Sequence, residues 1–128
     1  MAEQVILIAE DDPMIQKLLG RMFKRAGFQG ECLIASSGTE AVALLEANGS
    51  RVVLALLDTG LTGFTDMGLF DALRARSPGL PIIASSGYSP EELQSDRHFG
   101  DRPLSGFLGK PFGISEIRSL CEAQGISS

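Results

Sequence analysis

The sequence predicts an α/β fold in which helices cover both faces of a doubly wound, five-stranded parallel sheet. Short apolar runs without polar alternation, typical of strands buried on both faces, recur along the chain. Segments with helical apolar spacing separate these runs, so strands and helices alternate from end to end. With 128 residues, 44% of them hydrophobic and 21% charged, the composition is that of one globular domain.

The first strand and helix are predicted at the N-terminal end of the chain. Val5–Ala9 is uniformly apolar and stops at Glu10-Asp11-Asp12. Asp12 is a suitable N-cap and Pro13 a suitable first helical residue. Helical spacing then continues to Gly27, which closes the helix.

Eight further elements are predicted by the same patterns. They are a strand at Glu31–Ala35, a helix at Thr39–Ala47, a strand at Val52–Leu57, a helix at Asp66–Arg76, a strand at Leu80–Ser85, a helix opening at Ser89-Pro90, a strand at Ser105–Gly109 and a helix at Ile114–Ala123.

Composition and charge exclude several classes of function. The 16 acidic residues outnumber the 11 Lys and Arg, which disfavours direct nucleic acid binding, because a polyanion requires a basic face. No apolar run approaches the length of a membrane span, and the N-terminus lacks the features of a signal peptide. Cys32 and Cys121 lie far apart without a C-x-x-C motif, so we expect buried free thiols and a cytoplasmic protein.

Polar residues at the strand ends are the candidate site, because ligands of doubly wound sheets bind at the carboxyl ends of the strands. Glu10 and Asp11 follow the first strand and Asp58 the third, while Ser85-Ser86 closes the fourth and Lys110 follows the fifth. Clustered carboxylates repel one another unless a cation lies among them. Oxygen ligands with room for water suit Mg²⁺ better than zinc or a full calcium cage.

This combination of side chains is suited to accepting a phosphoryl group. A carboxylate is a nucleophile in aspartyl-phosphate chemistry. A metal ion and a lysine neutralise charge on the phosphoryl oxygens, and a hydroxyl donates a hydrogen bond to them.

Four segments resemble the signature segments of response regulator receiver domains, the CheY-like phosphoacceptors of two-component signalling. They are residues 6–13, Asp58, residues 81–88 and residues 107–112. The resemblance covers about residues 4 to 124, with the four sites in the right order at plausible spacing. It implies a flavodoxin-like sheet with strand order 2-1-3-4-5.

The resemblance also implies roles for the metal-binding residues. Asp58 would be the phosphorylated aspartate and a metal ligand. Asp11 would bind Mg²⁺ directly, and Glu10 would hold it through water. The Gly60 carbonyl would be the backbone ligand.

Further implied roles belong to the last two strands. Ser86 matches the hydroxyl that turns towards the phosphoryl group, and Lys110 matches the lysine that pairs with it. Phe107 matches the aromatic switch position, and Pro111 the proline whose preceding peptide bond is usually cis.

The implied function is that of a phosphoacceptor rather than an enzyme. A histidine kinase or histidine phosphotransfer domain would phosphorylate Asp58 in a Mg²⁺-dependent step, and slow hydrolysis would follow. Output would pass to a downstream partner protein or effector domain. The first helix, with Met14, Ile15, Leu18 and Met22, is the expected docking neighbour of the phosphodonor, although some of these residues must belong to the core.

One departure keeps an alternative open. Leu61-Thr62 replaces the family's usual Met-Pro pair, and the loop at 59–68 is a residue or two longer than in the simplest members. A degenerate receiver that acts only as a phosphorylation-independent interaction module would tolerate such a loop. The intact set of acids, hydroxyl and lysine argues against this alternative.

Other phosphate-handling α/β classes fit less well. A flavodoxin would place a Ser/Thr/Gly loop, not acids, after the first strand. A haloacid-dehalogenase-type phosphatase requires Asp-x-Asp there, where this chain has Glu10 and Asp12. A Toprim nuclease requires Asp-x-Asp after a later strand, but Gly60 takes the place of the second acid.

Overall fold

The computed structural model of the chain describes residues 4–58, 68–86, 106–109 and 113–126. These ranges form five strands, four α-helices and a 3-10 turn. The strands are β1 (Val5–Ala9), β2 (Glu31–Ala35), β3 (Val52–Asp58), β4 (Ile82–Ser86) and β5 (Gly106–Gly109). The helices are α1 (Pro13–Arg25), α2 (Gly38–Asn48), α3 (Gly68–Arg76) and α4 (Ile114–Ala123), and the turn is Gly49–Arg51. The helix predicted to open at Ser89 lies outside the described residues.

The five strands form one parallel sheet in the order β2-β1-β3-β4-β5. The predicted fold class and strand order are therefore confirmed. The chain moves from β1 outwards to β2 and then crosses back to pair β3 on the other side of β1. The strand order reverses at this point, where doubly wound sheets open a crevice at the carboxyl ends of their strands.

Helices on both faces bury the strands. All five residues of β1 are fully buried, which explains why this strand is apolar without alternation. Val5, Leu7 and Ala9 belong to a core cluster shared with α2 and α3. Ile6 and Ile8 belong to a second cluster, shared with α1 and α4.

Helix α1 begins and ends as its sequence predicts. The side chain of Asp12 accepts a hydrogen bond of 2.9 Å from the Met14 N–H, and Pro13 takes the first helical position. Gly27 has φ of 108°, a left-handed conformation that residues with a Cβ rarely adopt.

Several predicted boundaries need correction. Helix α2 begins at Gly38 rather than Thr39, because Ser37 is its N-cap and accepts a 3.2 Å hydrogen bond from the Glu40 N–H. Strand β3 includes Asp58, which pairs in register with Ser85 of β4. Strand β4 begins two residues later than predicted, at Ile82, and runs on to Ser86. The predicted starts at Asp66 and Ser105 lie outside the described residues.

Candidate metal centre

Three carboxylates meet at the carboxyl ends of two adjacent strands. Glu10 and Asp11 directly follow β1, and Asp58 is the last residue of β3. Each offers a carboxylate oxygen, and these oxygens all lie within 4.8 Å of one another. Glu10 is 3% and Asp58 8% exposed, whereas Asp11 is exposed. The structure thus brings together the acids that the strand-end pattern singled out.

Hydrogen bonds around Glu10 hold this residue at the end of β1. Its N–H donates to the Ala35 carbonyl oxygen at 3.0 Å, and its carboxylate oxygen accepts from the Asp12 N–H at 3.1 Å. Gln16 Nε2 donates to the Glu10 carbonyl oxygen at 2.6 Å and to Ser36 Oγ at 3.1 Å. Sequence reasoning gave no role to Gln16, because its contact with Glu10 depends on how α1 returns over the sheet.

The charges of this cluster favour a bound cation. Two unit negative charges at 4.8 Å repel by about 3.5 kcal/mol at an effective dielectric constant of roughly 20. Two of the three side chains are buried, which limits screening by solvent. Carboxylate oxygens are preferred ligands of Mg²⁺, and one exposed member leaves room for retained waters. The donor set therefore fits the magnesium ion that the sequence predicts.

Ser85 pairs with a member of this cluster, although the sequence assigned a role only to its neighbour Ser86. It is the register partner of Asp58 and is 3% exposed. Its Oγ has no hydrogen-bond partner among the described residues. A buried hydroxyl without a partner is costly. The sequence showed two adjacent serines, and only the strand register places Ser85 opposite Asp58.

The other predicted site residues are only partly described. Ser86 is the last residue of β4 and pairs with Gly109 of β5, which Lys110 follows in the sequence. Lys110, Gly60 and Pro111 lie outside the described residues. The backbone of Phe107 lies in β5, whereas the side chains of Ser86 and Phe107 are not described.

The apolar residues of α1 divide between the core and the surface. Met22 is buried, and Ile15 is half-buried against the second core cluster. Met14 and Leu18 are 79% and 52% exposed. They lie four residues apart, on the same face of the helix, and Met14 comes three residues after Asp11. The predicted docking set is therefore reduced to these two residues.

Comparison with protein families identifies the chain. The family model for the response regulator receiver domain matches residues 6–122. The chain belongs to this family. Receiver domains are signalling phosphoacceptors of two-component systems, in which histidine kinases and effector domains are the partners. The resemblance seen in the sequence is thus confirmed at the level of the family.

Curated relatives of this receiver domain are longer proteins. The transcriptional activator protein PfeR of Pseudomonas aeruginosa is 32% identical over 120 residues, which are 92% of this chain and 36% of PfeR. The DNA-binding transcriptional regulator NtrC of Salmonella typhimurium is 27% identical over 122 residues, 95% of this chain and 25% of NtrC. The receiver domain therefore spans well under half the length of these relatives.

Solved structures show the same fold. A response regulator receiver domain protein from Clostridium thermocellum superposes with a TM-score of 0.78 at 20% identity, covering 95% of this chain and 91% of that one. The receiver domain of sensor histidine kinase PA1611 of Pseudomonas aeruginosa superposes with a TM-score of 0.78 at 25% identity, and the match covers 97% of this chain and 99% of that one. That neighbour has a magnesium ion coordinated in its active site cleft.

No helix in the described part of the receiver domain is long and apolar enough to cross a membrane.

Proposed function

We propose that this receiver domain accepts a phosphoryl group on Asp58 from a phosphohistidine, in a step that depends on Mg²⁺. The convergence of Glu10, Asp11 and Asp58 within 4.8 Å carries this proposal. Three acids clustered at the carboxyl ends of two strands would repel one another and destabilise the fold unless they bind a cation. A divalent cation with an incoming phosphoryl group is the ligand that suits a carboxylate nucleophile.

In the proposed reaction, a carboxylate oxygen of Asp58 attacks the phosphorus atom. A P–O bond forms, the P–N bond to the donor imidazole breaks, and that imidazole keeps the electron pair and takes up a proton. Burial of Asp58 at the end of β3 restricts the positions that the nucleophile can take. Later attack by water on the phosphorus regenerates the carboxylate and releases phosphate.

The metal would be held by Asp11 and Asp58, by Glu10 through water, and by the Gly60 carbonyl. When bound, it would neutralise charge on the phosphoryl oxygens. Glu10 is fixed by hydrogen bonds from its own turn and from Gln16, so it can orient a water without moving. Lys110 would pair with the phosphoryl group, and the Ser86 hydroxyl would donate a hydrogen bond to it.

We propose that phosphorylation of Asp58 changes the surface near β5. The new charge would draw Ser86 towards the phosphoryl group and allow Phe107 to change its position. The face formed by the predicted helix at Ser89, β5 and α4 would then favour a second arrangement. Because the relatives are longer than this receiver domain, the downstream component that responds to this change would be a partner protein or an effector domain.

Intact mass tests the phosphoacceptor proposal. The chain is incubated with Mg²⁺ and acetyl phosphate, and we expect a labile phosphoryl adduct on the parent and none on Asp58→Asn. The adduct should also fail to form when EDTA removes the metal. A parent that gains no adduct and does not bind beryllofluoride would instead be the degenerate interaction module.

The exposed pair on α1, Met14 and Leu18, supports a docking surface for the phosphodonor. Apolar side chains this exposed, next to a charged site, are typical of an interaction surface. We expect Met14→Ser/Leu18→Ser to slow phosphotransfer about tenfold from a purified histidine kinase that labels the parent. Labelling by acetyl phosphate should be unchanged, because that donor needs no protein contact. Equal loss with both donors would contradict docking at this surface.

A further inference from the structure

A groove between α1 and the free edge of the sheet lies outside the phosphoacceptor site. Its volume is about 470 Å³, within the range of ligand-binding clefts. Its lining is mixed: Gln16, Lys17, Gly20, Arg21, Lys24, Phe28, Gly30, Glu31, Cys32 and Ile34. Three cations and one carboxylate therefore share the lining with the apolar side chains of Phe28, Cys32 and Ile34.

The groove is basic in an acidic protein. The chain has a formal charge of −5, yet α1 contains four cations and no acidic residue. Lys17, Arg21 and Lys24 recur at helical spacing on the side of α1 that borders the groove. Lys17 and Arg21 form no ion pair with another described residue. Because Glu31 is the one carboxylate among the described residues that line the groove, the lining carries a net positive charge.

The floor of the groove is a strand edge. Strand β2 is the last strand of the sheet and pairs only with β1 among the described strands. The Glu31 N–H donates to the Gln4 carbonyl oxygen, and the Ala35 carbonyl oxygen accepts from the Glu10 N–H. Because a parallel ladder uses alternate residues, the main-chain groups of Cys32 and Ile34 point away from β1. An unpaired edge of this kind can add another strand.

Gly20 adds an independent observation. It lies in the middle of α1 and lines the groove, where glycine costs about 0.5–1 kcal/mol relative to alanine. A Cβ built at Gly20 meets nothing within 4 Å, so packing among the described residues does not require glycine here. The missing side chain keeps the groove open at its centre.

We propose that this groove binds an acidic linear segment of a partner protein, which pairs with β2 as an additional strand. Main-chain hydrogen bonds to Cys32 and Ile34 would hold the segment, and its carboxylates would face Lys17, Arg21 and Lys24. These cations span about 10 Å of helix axis, the length of three extended residues. β-Strand addition combines main-chain affinity with side-chain selectivity in this way.

Fluorescence anisotropy tests the proposal with a labelled eight-residue peptide of alternating Glu and Val. We expect saturable binding by the parent chain, weakened about fivefold by Arg21→Glu and by less than about twofold by Arg25→Glu. Arg25 is the matched control, because it is exposed on the same helix but does not line the groove. Gly20→Leu should also weaken binding, by filling the groove.

Two further measurements separate strand addition from charge attraction. A peptide with the same acids but proline in place of alternate valines should bind poorly, because proline cannot donate to a strand ladder. Amide hydrogen exchange should slow at Cys32 and Ile34 when the Glu–Val peptide binds. Equal binding of the proline peptide or of inorganic polyphosphate, equal effects of the two arginine variants, or dimerisation of the chain through β2 would each overturn the proposal.

Discussion

The acids at the strand ends differ in burial and in task, although they are adjacent in sequence. Glu10 is buried and hydrogen-bonded. Asp11 is exposed to solvent, and its carboxylate oxygen lies within 4.8 Å of that of Asp58. Asp12 caps α1 and is not part of the carboxylate cluster. Three consecutive acids thus provide a buried, hydrogen-bonded carboxylate, a solvent-exposed carboxylate and a helix cap.

This division predicts how magnesium binding responds to neutralisation of each acid. Asp11→Asn should weaken Mg²⁺ binding by about tenfold or more, because it removes a charged ligand from a site with few ligands. Asp12→Asn is the matched control, since asparagine caps a helix as well as aspartate and the charge change is the same. Isothermal titration calorimetry with Mg²⁺ measures both variants. Equal losses would mean that net charge alone attracts the ion.

Ser85 provides a second test at a single side chain. Because its buried Oγ lacks a partner among the described residues, Ser85→Ala should raise the free energy of unfolding by about 1 kcal/mol. Ser37→Ala should lower it by about 1 kcal/mol, since Ser37 caps α2. Urea denaturation compares the two variants. Destabilisation by Ser85→Ala would indicate that the hydroxyl has a partner.

Helix α1 connects the two functional regions of the molecule. Its first two turns carry the exposed Met14 and Leu18, and its basic side borders the β2 groove. Gln16 belongs to the lining of the groove and also donates a hydrogen bond to the carbonyl oxygen of Glu10, a member of the carboxylate cluster. A segment bound in the groove would therefore lie next to a residue that is hydrogen-bonded to a member of the carboxylate cluster.

The two glycines that flank this groove have opposite packing environments. A Cβ at Gly30 would overlap the Gln4 carbonyl oxygen and lie 2.6 Å from Phe28 Cζ. Gly30→Ala should therefore lower the free energy of unfolding by about 3 kcal/mol. Gly20→Ala should raise it by about 0.5–1 kcal/mol, because the site is open and helical. Thermal unfolding followed by circular dichroism measures both changes. Changes in the free energy of unfolding with the same sign in both variants would contradict this packing.

The second core cluster lies between the sheet and helices α1 and α4; Cys32 of β2 packs against it, and Cys121 of α4 is within it. Both cysteines are free, as expected, but Cys32 is only half-buried. Desolvation, with smaller contributions from Cys121 and Glu31 and against the opposing effect of Lys24, raises the pKa of Cys32 from 9.0 to about 11. The folded protein therefore keeps this thiol protonated after the unfolded chain has lost its proton.

The consequence is a loss of stability in alkali. A pKa raised on folding contributes stability that is present below pH 9.0 and is lost as the pH rises through about 11. Urea midpoints should fall between these values, and the fall should be shallower in Cys32→Ala. Identical slopes in the parent and Cys32→Ala would show that the thiol does not titrate in this range.

The sequence by itself determined the elements and the chemistry of the site. Uniformly apolar runs predict strands buried on both faces, so the bounds of β1 agree with the predicted ones. Those of β2 agree as well, although β2 begins with the exposed Glu31 and is only partly buried. Capping residues are equally local, which is why α1 begins at Pro13 as predicted. The sequence also predicts that the acids, hydroxyls and lysine at the strand ends form one site, because the carboxyl ends of parallel strands share one edge of the sheet.

Other features depend on strand register and on how helices return over the sheet. The pairing of Ser85 with Asp58, the hydrogen bond from Gln16 to Ser36 and the β2 groove all join residues that are distant in sequence. The division of α1 between core and surface is likewise set by what covers it: Met22 is buried, and Met14 is exposed. Local patterns report which residues form an element, but contacts between elements exist only after the sheet has assembled.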